Sequence, residues 1–283
     1  MKANKRISAR AAARHLKTAF NVRRIVDTPP GVVLYHGPSQ IGDGGDVVAI
    51  LTLWSSNTKT TGADKGKRER VSQPQVMILD CDEEPHILVK EGKDQNVCGD
   101  CVFASGEGCY VRVDQAPLSV YRAWKRGRYP AVDPDTLQKI LTIASFIRLG
   151  SYGDPAAIPV EIWEALETAA PVKARIVGYS HAWRYTDQRL ARWAMAAIEH
   201  STDVGGARSK GWRTFRLRAG DDPLVGSEKL CPAAKEAGEL IGCDACNQCD
   251  GNRGGARRPS RAIVAHGARA LKALRSARRR WAA

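Results

Sequence analysis

The 283-residue sequence has no apolar run approaching the roughly 18 residues of a membrane-spanning helix, and no signal-peptide pattern. We therefore expect a soluble, cytoplasmic protein that has no membrane partner. The serine–histidine–aspartate spacing of a hydrolase, a phosphate-binding Walker loop and a dinucleotide fingerprint are missing too. These absences argue against hydrolase, nucleoside triphosphatase and dehydrogenase functions.

Without a secretory signal, the eight cysteines are not expected to form a disulfide framework. In a reducing compartment, closely spaced cysteines are more often metal ligands. The composition, 43% hydrophobic and 26% charged, is typical of a globular chain. Its length suits one large domain or two small ones, with a sizeable core.

Acidic residues are missing from both ends of the chain. Residues 1–24 carry eight Lys or Arg and residues 251–283 carry ten, out of 44 in all. The body between them has 26 basic and 30 acidic residues, a net charge of −4. Basic ends attract polyanions through phosphate contacts, so nucleic acid is the expected partner. The alternative is that both ends are solvated helices whose charge only aids solubility.

Three β-rich runs separated by polar turns open the body of the chain. They cover residues 32–35, 47–54 and 75–79, and they predict an antiparallel meander within residues 31–96. A basic helix is predicted before it, within residues 1–30.

From residue 97 the pattern changes to strands that alternate with helices. The predicted strands are 145–149, 174–179, 193–198 and 212–217, and helical stretches lie between them. This alternation predicts βα units and a mainly parallel sheet. The predicted fold class is α/β, with a partial or full (β/α) barrel over residues 97–227 after the N-terminal meander. Residues 228–283 would hold a cysteine group between two short strands, followed by a basic C-terminal helix.

Polar residues follow several of the predicted strands directly. In parallel sheets and barrels, residues just past the strand carboxyl ends form the functional face. The residues at that position are Tyr152, Asp154, His181, Arg184, Glu199 and His200. We predict a cleft there, with catalytic roles for Asp154, His181 and Glu199 in positioning a substrate. The alternative for Asp154 is that it caps the following helix.

Seven of the eight cysteines fall into two groups, which we call the first and second cysteine groups. The first is Cys98, Cys101 and Cys109, with the spacing C-x2-C-x7-C. The second is Cys231, Cys243, Cys246 and Cys249, which includes the triple run C-x2-C-x2-C. Thiolates at this density are typical of zinc or iron–sulfur sites, so both groups are predicted to be metal-binding knots.

The spacings leave the metal open. The triple run is the pattern that wraps three corners of a cubane cluster, which favours [4Fe–4S] over zinc for the second group. The first group has three cysteines, and a [4Fe–4S] cluster on them would leave one iron open. Alternatively, Cys81 or His86 completes a closed four-ligand site, as in structural zinc centres.

Several stretches resemble a family of cysteine-rich phage and prophage proteins. They are Cys98 to Tyr110, the segments 115–120, 148–155, 178–183 and 211–216, and the second cysteine group from Cys231-Pro232 to Gly251. More distantly, the Cys109-Tyr110 ending and the Arg148-x4-Gly153-Asp154 segment are similar to radical-SAM-like barrel proteins of phages and plasmids. The resemblance covers residues 35–267, and a phage-encoded protein would act in the host cytoplasm.

The resemblance implies a barrel with an iron–sulfur cluster near its first βα loop, ligated by the first cysteine group. It also implies contacts of Tyr110 and Gly153 with the cofactor, Gly153-Asp154 standing in for the usual glycine-rich motif. Radical-SAM enzymes typically carry C-x3-C-x2-C, and the departure to C-x2-C-x7-C argues against SAM binding.

Two functional hypotheses result. The first is a radical-SAM-like iron–sulfur enzyme, with up to two clusters, that acts on a nucleic acid or nucleotide. The second is a non-catalytic nucleic-acid-binding protein stabilised by zinc or clusters. In the second, both cysteine groups are structural and the basic ends bind the polyanion.

Overall fold

The computed structural model describes residues 29–53, 74–104, 108–142, 144, 146–172, 174–238, 241–246, 248–253, 258–265, 270–275 and 278. The basic helix predicted within residues 1–30 lies outside this part of the chain, and only residues 29 and 30 of that range are described.

A nine-stranded sheet forms the centre of the fold, in the order β1-β2-β3-β4-β5-β6-β7-β9-β8. The strands are β1 (Gly31–Pro38), β2 (Asp46–Thr52), β3 (Gln75–Asp80), β4 (Phe146–Tyr152), β5 (Arg175–Ser180), β6 (Ala194–Ile198), β7 (Thr214–Arg218), β8 (Lys229–Leu230) and β9 (Arg261–Val264). Pairing is antiparallel from β1 to β3 and parallel across the other six neighbouring pairs. The predicted α/β class, meander and mainly parallel sheet are confirmed. Within the described residues no pairing joins β1 to β8, so closure into a barrel stays a prediction.

The helices are α1 (Pro85–Glu91), α2 (Gln95–Cys98), α3 (Ala116–Lys125), α4 (Pro134–Leu141), α5 (Val160–Ala169), α6 (Asp203–Ser209) and α7 (Cys243–Cys246). Short 3₁₀ turns cover Pro155–Ala157, Ala182–Arg184, Gln188–Arg192 and Lys235–Ala237. Residues 270–275 are helical as well, within the predicted C-terminal helix. None of the helices in the described part of the chain is long and apolar enough to cross a membrane.

Helix α1 was not expected, because residues 31–96 were assigned to the meander. Its apolar run Ile87–Val89 has no helical period, so only the ends carry a signal. Pro85 occupies the first turn, where its missing N–H is not needed, and Gly92 ends the helix in the left-handed region at φ 67°. Helix α4, in contrast, was predicted from its cap: Asp133 accepts a hydrogen bond from the N–H of Thr136 at 2.8 Å.

The main core lies between the sheet and the helices. Strands β2 and β3 are apolar and buried almost throughout, as expected for strands covered on both faces. A smaller core joins Phe103, in the first cysteine loop, to Ala273 and Leu274 of the C-terminal helical segment. This segment therefore packs against the loop between Cys101 and Cys109.

Candidate metal centres

Three predicted residues meet at the carboxyl edge of the parallel strands. Asp154 follows β4, His181 follows β5 and Glu199 follows β6. These strands are neighbours in the sheet, so their ends lie side by side. His181 Nδ1 lies 3.2 Å from Glu199 Oε1, and Glu199 is 8% exposed. The structure thus brings together the residues that the strand-end pattern grouped.

Both carboxylate oxygens of Asp154 accept hydrogen bonds from backbone N–H groups. Its Oδ1 accepts from the N–H of Ala156 at 2.9 Å, and its Oδ2 accepts from the N–H groups of His181 at 2.7 Å and Ala182 at 3.3 Å. Burial raises the pKa of Asp154, and these N–H donors oppose the rise. The geometry matches the capping alternative, and the carboxylate also fastens the end of β4 to the start of the turn after β5. Its catalytic role stays a prediction.

The first cysteine group lies in a tight loop at this edge. Cys98 ends α2, and its carbonyl accepts from the N–H of Cys101 at 3.3 Å. Cys109 donates its N–H to the carbonyl of Phe103 at 3.2 Å. All three thiols are free rather than bridged as cystines. Burial raises the pKa of the Cys98 thiol, and Cys101 and Cys109 add to the rise through their charges, so the three thiols are electrostatic neighbours.

The side chain of His181 joins this loop. Burial alone lowers the pKa of His181, but hydrogen bonds and charges from Cys101 and Glu199 raise it well above its usual value. The imidazole therefore has both the Cys101 thiol and the Glu199 carboxylate as neighbours. Its ring also packs edge-on against Phe103, with centroids 6.1 Å apart. His181 is thus a fourth side chain of a type that binds metals, beside the loop of the three thiols.

The two other candidates for a fourth ligand have different neighbours. Cys81 is buried, and its pKa is raised to about 12, first by burial and then by acidic neighbours such as Asp46. The amine of Lys125 donates to the Cys81 carbonyl at 2.6 Å. His86 Nδ1 lies 3.6 Å from Glu84.

Tyr152 places a buried hydroxyl near the first cysteine group. The residue is 4% exposed, and its hydroxyl has no hydrogen-bond partner among the described atoms. Burial raises its pKa, and the charge of Cys98 is the next cause. A buried hydroxyl without a partner costs about 1–3 kcal/mol, so an acceptor at this point would stabilise the site.

Gly153 lets the strand end approach the helix that carries Cys98. Its φ is +82°, and a Cβ there would lie 2.7 Å from Ile78 Cβ and 3.0 Å from Val97 Cγ1. The next N–H, of Asp154, donates to the carbonyl of Val97 at 2.8 Å. Gly153 therefore positions α2 against β3 and β4. Its predicted contact with a cofactor stays a prediction.

Tyr110 lies between the two cysteine groups. It is 75% exposed, and its hydroxyl accepts from Arg148 Nη2 at 2.5 Å. The Arg148 guanidinium lies 6.0 Å from the ring centre of Tyr179. Tyr179 in turn is hydrogen-bonded to the thiol of Cys249. The predicted cofactor-binding role of Tyr110 stays a prediction, and its exposed ring is free to stack on a planar ligand.

The four thiols of the second cysteine group are neighbours too. Cys231 follows β8 and donates its N–H to the Ala262 carbonyl at 2.8 Å, while Cys243 and Cys246 are the ends of α7. Burial raises the pKa of Cys249 to about 12, the Tyr179 hydrogen bond opposes this, and the other three thiols add to it. The predicted short strands on either side of the group are β8 and β9.

Neither cysteine group forms a complete metal-binding site among the described residues. Among the described residues, no three His, Cys, Asp or Glu side chains are arranged to hold a metal ion as they stand. The thiols are neighbours without surrounding a common point. Metal binding at either group would therefore require side chains to turn inward.

The sequence patterns did not single out the residues around the second group, Arg213 and Asp250 above all. Arg216 and Arg218 alternate along β7, Arg213 directly precedes this strand, and all three are buried. Three arginines within residues 213–218 were the available signal, two of them on one face of the strand.

No protein-family model matches the chain, and comparisons with curated proteins and with solved structures give no match either. The resemblance to phage and radical-SAM-like proteins therefore stays a prediction. The function has to be argued from the geometry of the two cysteine groups.

Proposed function

We propose that this protein is a two-centre metalloprotein that binds nucleic acid through its basic ends. Cys98, Cys101, Cys109 and His181 would hold one metal ion, and the second cysteine group would hold another metal or a cluster. The observation that carries the proposal is the position of His181, between Cys101 and Glu199. Metal-ligating histidines characteristically bind a carboxylate with the second ring nitrogen, which orients the ring.

The donor set fits a metal. Three thiols with one imidazole, and four thiols, are both ligand sets of structural zinc, and four thiols also hold iron–sulfur clusters. The unpartnered Tyr152 hydroxyl supports this, since a metal-bound sulfur would accept its hydrogen bond. Inward rotation of the thiols on binding is compatible with folding coupled to metal uptake.

His181 favours zinc at the first centre. With an imidazole as the fourth ligand, the site would be closed, as structural zinc sites are. A radical-SAM-like cluster instead needs an iron without a protein ligand. The geometry therefore supports the zinc-stabilised alternative better than the enzyme for the first centre, and it leaves zinc and [4Fe–4S] open for the second.

The first test is metal analysis of protein purified without oxygen. We expect two metal centres in the wild-type chain and loss of the first in His181→Ala, because the variant lacks the fourth ligand. Glu199→Gln should keep the metal but bind it about 10- to 100-fold more weakly. The matched control is His200→Ala, since His200 is partly exposed and its imidazole contacts the neighbouring Thr202, with Nδ1 2.6 Å from Oγ1. Metal-free wild-type protein, or undiminished metal in His181→Ala, would contradict the proposal for this centre.

Nucleic-acid binding is tested on the C-terminal helical segment. Lys272 and Arg275 are exposed there, whereas Ala273 and Leu274 face the loop of the first cysteine group. We expect Lys272→Gln/Arg275→Gln to weaken binding of labelled single-stranded DNA or RNA and to flatten its salt dependence. Each lost phosphate contact should lower the slope by about 0.7 to 0.9. Fluorescence anisotropy at several salt concentrations measures the affinity and its salt dependence. An unchanged slope of log affinity against log salt concentration would show that this segment does not contact the nucleic acid.

The second candidate function is the radical-SAM-like enzyme on a nucleic acid. It is supported by the position of the first cysteine loop at the carboxyl edge of a parallel sheet, which is where active sites of such folds lie. Brown protein with iron and sulfide after anaerobic purification would favour it, and colourless protein with tightly held zinc would exclude it.

A further inference from the structure

Three arginines contact one buried carboxylate beside the second cysteine group, and a fourth lies next to them. Asp250 is fully buried and immediately follows Cys249. Its oxygens lie 2.6 Å from Arg258, 3.3 Å from Arg175 and 3.4 Å from Arg213. The fourth arginine, Arg261, donates to Gln248 Oε1 at 3.0 Å and to the carbonyl of Leu230 at 3.2 Å, so it contacts the neighbours of Cys249 and Cys231.

Arg213 is the centre of this arrangement, which we call the arginine cluster (Arg175, Arg213, Arg258 and Arg261). Its side chain is 2% exposed. It donates to the carbonyls of Gln248 at 2.8 Å, Gly251 at 2.7 Å and Pro259 at 2.6 Å. The bonds to Gln248 and Gly251 hold the loop that carries Cys249 at positions before and after this cysteine. Burial lowers the pKa of Arg213 and the charge of Arg258 adds to this, so positive charge is in excess here.

The charges around Asp250 do not balance. Three guanidinium groups contact one carboxylate and that of Arg261 lies beside them, and buried charge is costly unless it is paired. Arg175 and Arg258 are partly solvated, but Arg213 and Arg261 are not. Among the described side chains, the thiols are further neighbours that can carry negative charge, since Arg213 interacts electrostatically with Cys249 and Arg261 with Cys231.

We propose that the arginine cluster is the counter-charge and the positioning shell of an anionic four-thiolate metal centre on Cys231, Cys243, Cys246 and Cys249. Four thiolates around a divalent zinc ion, or around an oxidised [4Fe–4S] core, carry a net charge of about −2. Such an occupant offsets most of the excess charge. The inference rests on the proposed function and adds what the second centre must be: fully thiolate-ligated, anionic and structural.

The location of the arginine cluster in the sheet agrees with a structural role for it. Arg175, Arg213 and Arg261 stand at or next to the amino-terminal starts of β5, β7 and β9. In parallel βα folds, the amino-terminal edge serves stability, whereas the carboxyl edge carries function. The first cysteine group lies at the carboxyl edge, so the arginine cluster and the first centre have different tasks in this proposal.

The test measures Zn²⁺ affinity of the full-length reduced chain by competition with a chromophoric chelator. Co²⁺ spectra separate the four-thiolate from the three-thiolate centre. We expect Arg258→Gln to weaken the four-thiolate centre by about 10- to 100-fold, as changes around metal ligands do, and to leave the first centre unchanged. Arg258→Lys keeps the charge and should restore most of the affinity. Arg258 is partly exposed, so these variants should fold, and Arg213→Lys provides a second, buried variant.

The control is Arg192→Gln, which removes an exposed arginine paired with Glu167 at 2.7 Å and should change neither affinity. Wild-type affinity of the four-thiolate centre in both Arg258→Gln and Arg213→Lys would overturn the inference and leave the proposed function standing. Equal weakening of both centres without rescue by Arg258→Lys would overturn it as well, since that indicates a general loss of structure. A wild-type chain that binds no Zn²⁺ would instead refute the proposed function.

Discussion

Replacing Cys246 by serine is expected to remove one of two metal equivalents and to lower the melting temperature strongly. Cys246 is the last residue of α7, and its N–H is bonded to the Gly242 carbonyl at 2.9 Å, so its position is held by the backbone. A four-thiolate centre would join three segments: the end of β8, helix α7 and the loop before β9. A metal that binds only the folded chain stabilises it in proportion to the logarithm of its concentration over its dissociation constant.

At a metal concentration about 1,000 times the dissociation constant, that stabilisation is about 4 kcal/mol. Its loss in Cys246→Ser corresponds to a fall in melting temperature of roughly 8–16 °C. Metal analysis and thermal unfolding with and without a chelator measure the two effects. Cys81→Ala is the control, because Cys81 belongs to neither group and should keep both metal equivalents. Unchanged metal content in Cys246→Ser would exclude this cysteine as a ligand.

Replacing Glu228 by alanine is expected to destabilise the fold by about 3–5 kcal/mol, the usual cost of breaking a buried ion pair on one side. Glu228 and Arg216 have side chains that are 0% and 1% exposed. The guanidinium donates from Nε to Oε1 at 2.9 Å and from Nη2 to Oε2 at 2.7 Å. The same carboxylate accepts the N–H of Val225 at 2.9 Å, so its loss leaves a buried cation and an unbonded amide.

Thermal or denaturant unfolding measures the effect, which corresponds to a fall in melting temperature of roughly 6–20 °C. The double variant Arg216→Met/Glu228→Leu should regain much of the stability, because it removes both charges and keeps the volume. Glu161→Ala, which removes an exposed partner of Arg189, should leave the melting temperature almost unchanged. A loss below about 1 kcal/mol in Glu228→Ala would show that the pair is reached by solvent.

The main elements of the fold could be predicted from local patterns. Strands β2 to β7 were predicted because runs of β-branched and apolar residues between turns are local signals. The cap of α4 was predicted for the same reason. Helix α1 was missed, since seven residues with an apolar run carry little periodicity.

The candidate site was predictable only in part. Strand-end position indicated Asp154, His181 and Glu199, because parallel strands present their carboxyl ends at one edge. That His181 rather than Cys81 or His86 lies beside Cys101 could not be read from spacing, since 80 residues separate the two. The arginine cluster could not be predicted for a similar reason. Arginines in a strand pattern are expected to face solvent, and their shared partner Asp250 is identified only in the folded structure.

The sequence by itself determined that strands and helices alternate, that basic charge gathers at both ends and that seven cysteines fall into two groups. These properties depend on composition and on residues close together in the chain. Only the tertiary structure decided which imidazole lies beside the first thiols, and that three arginines contact the buried carboxylate next to Cys249. Both depend on how distant strands align in the sheet, which is set by packing of the whole core and not by any local run of residues.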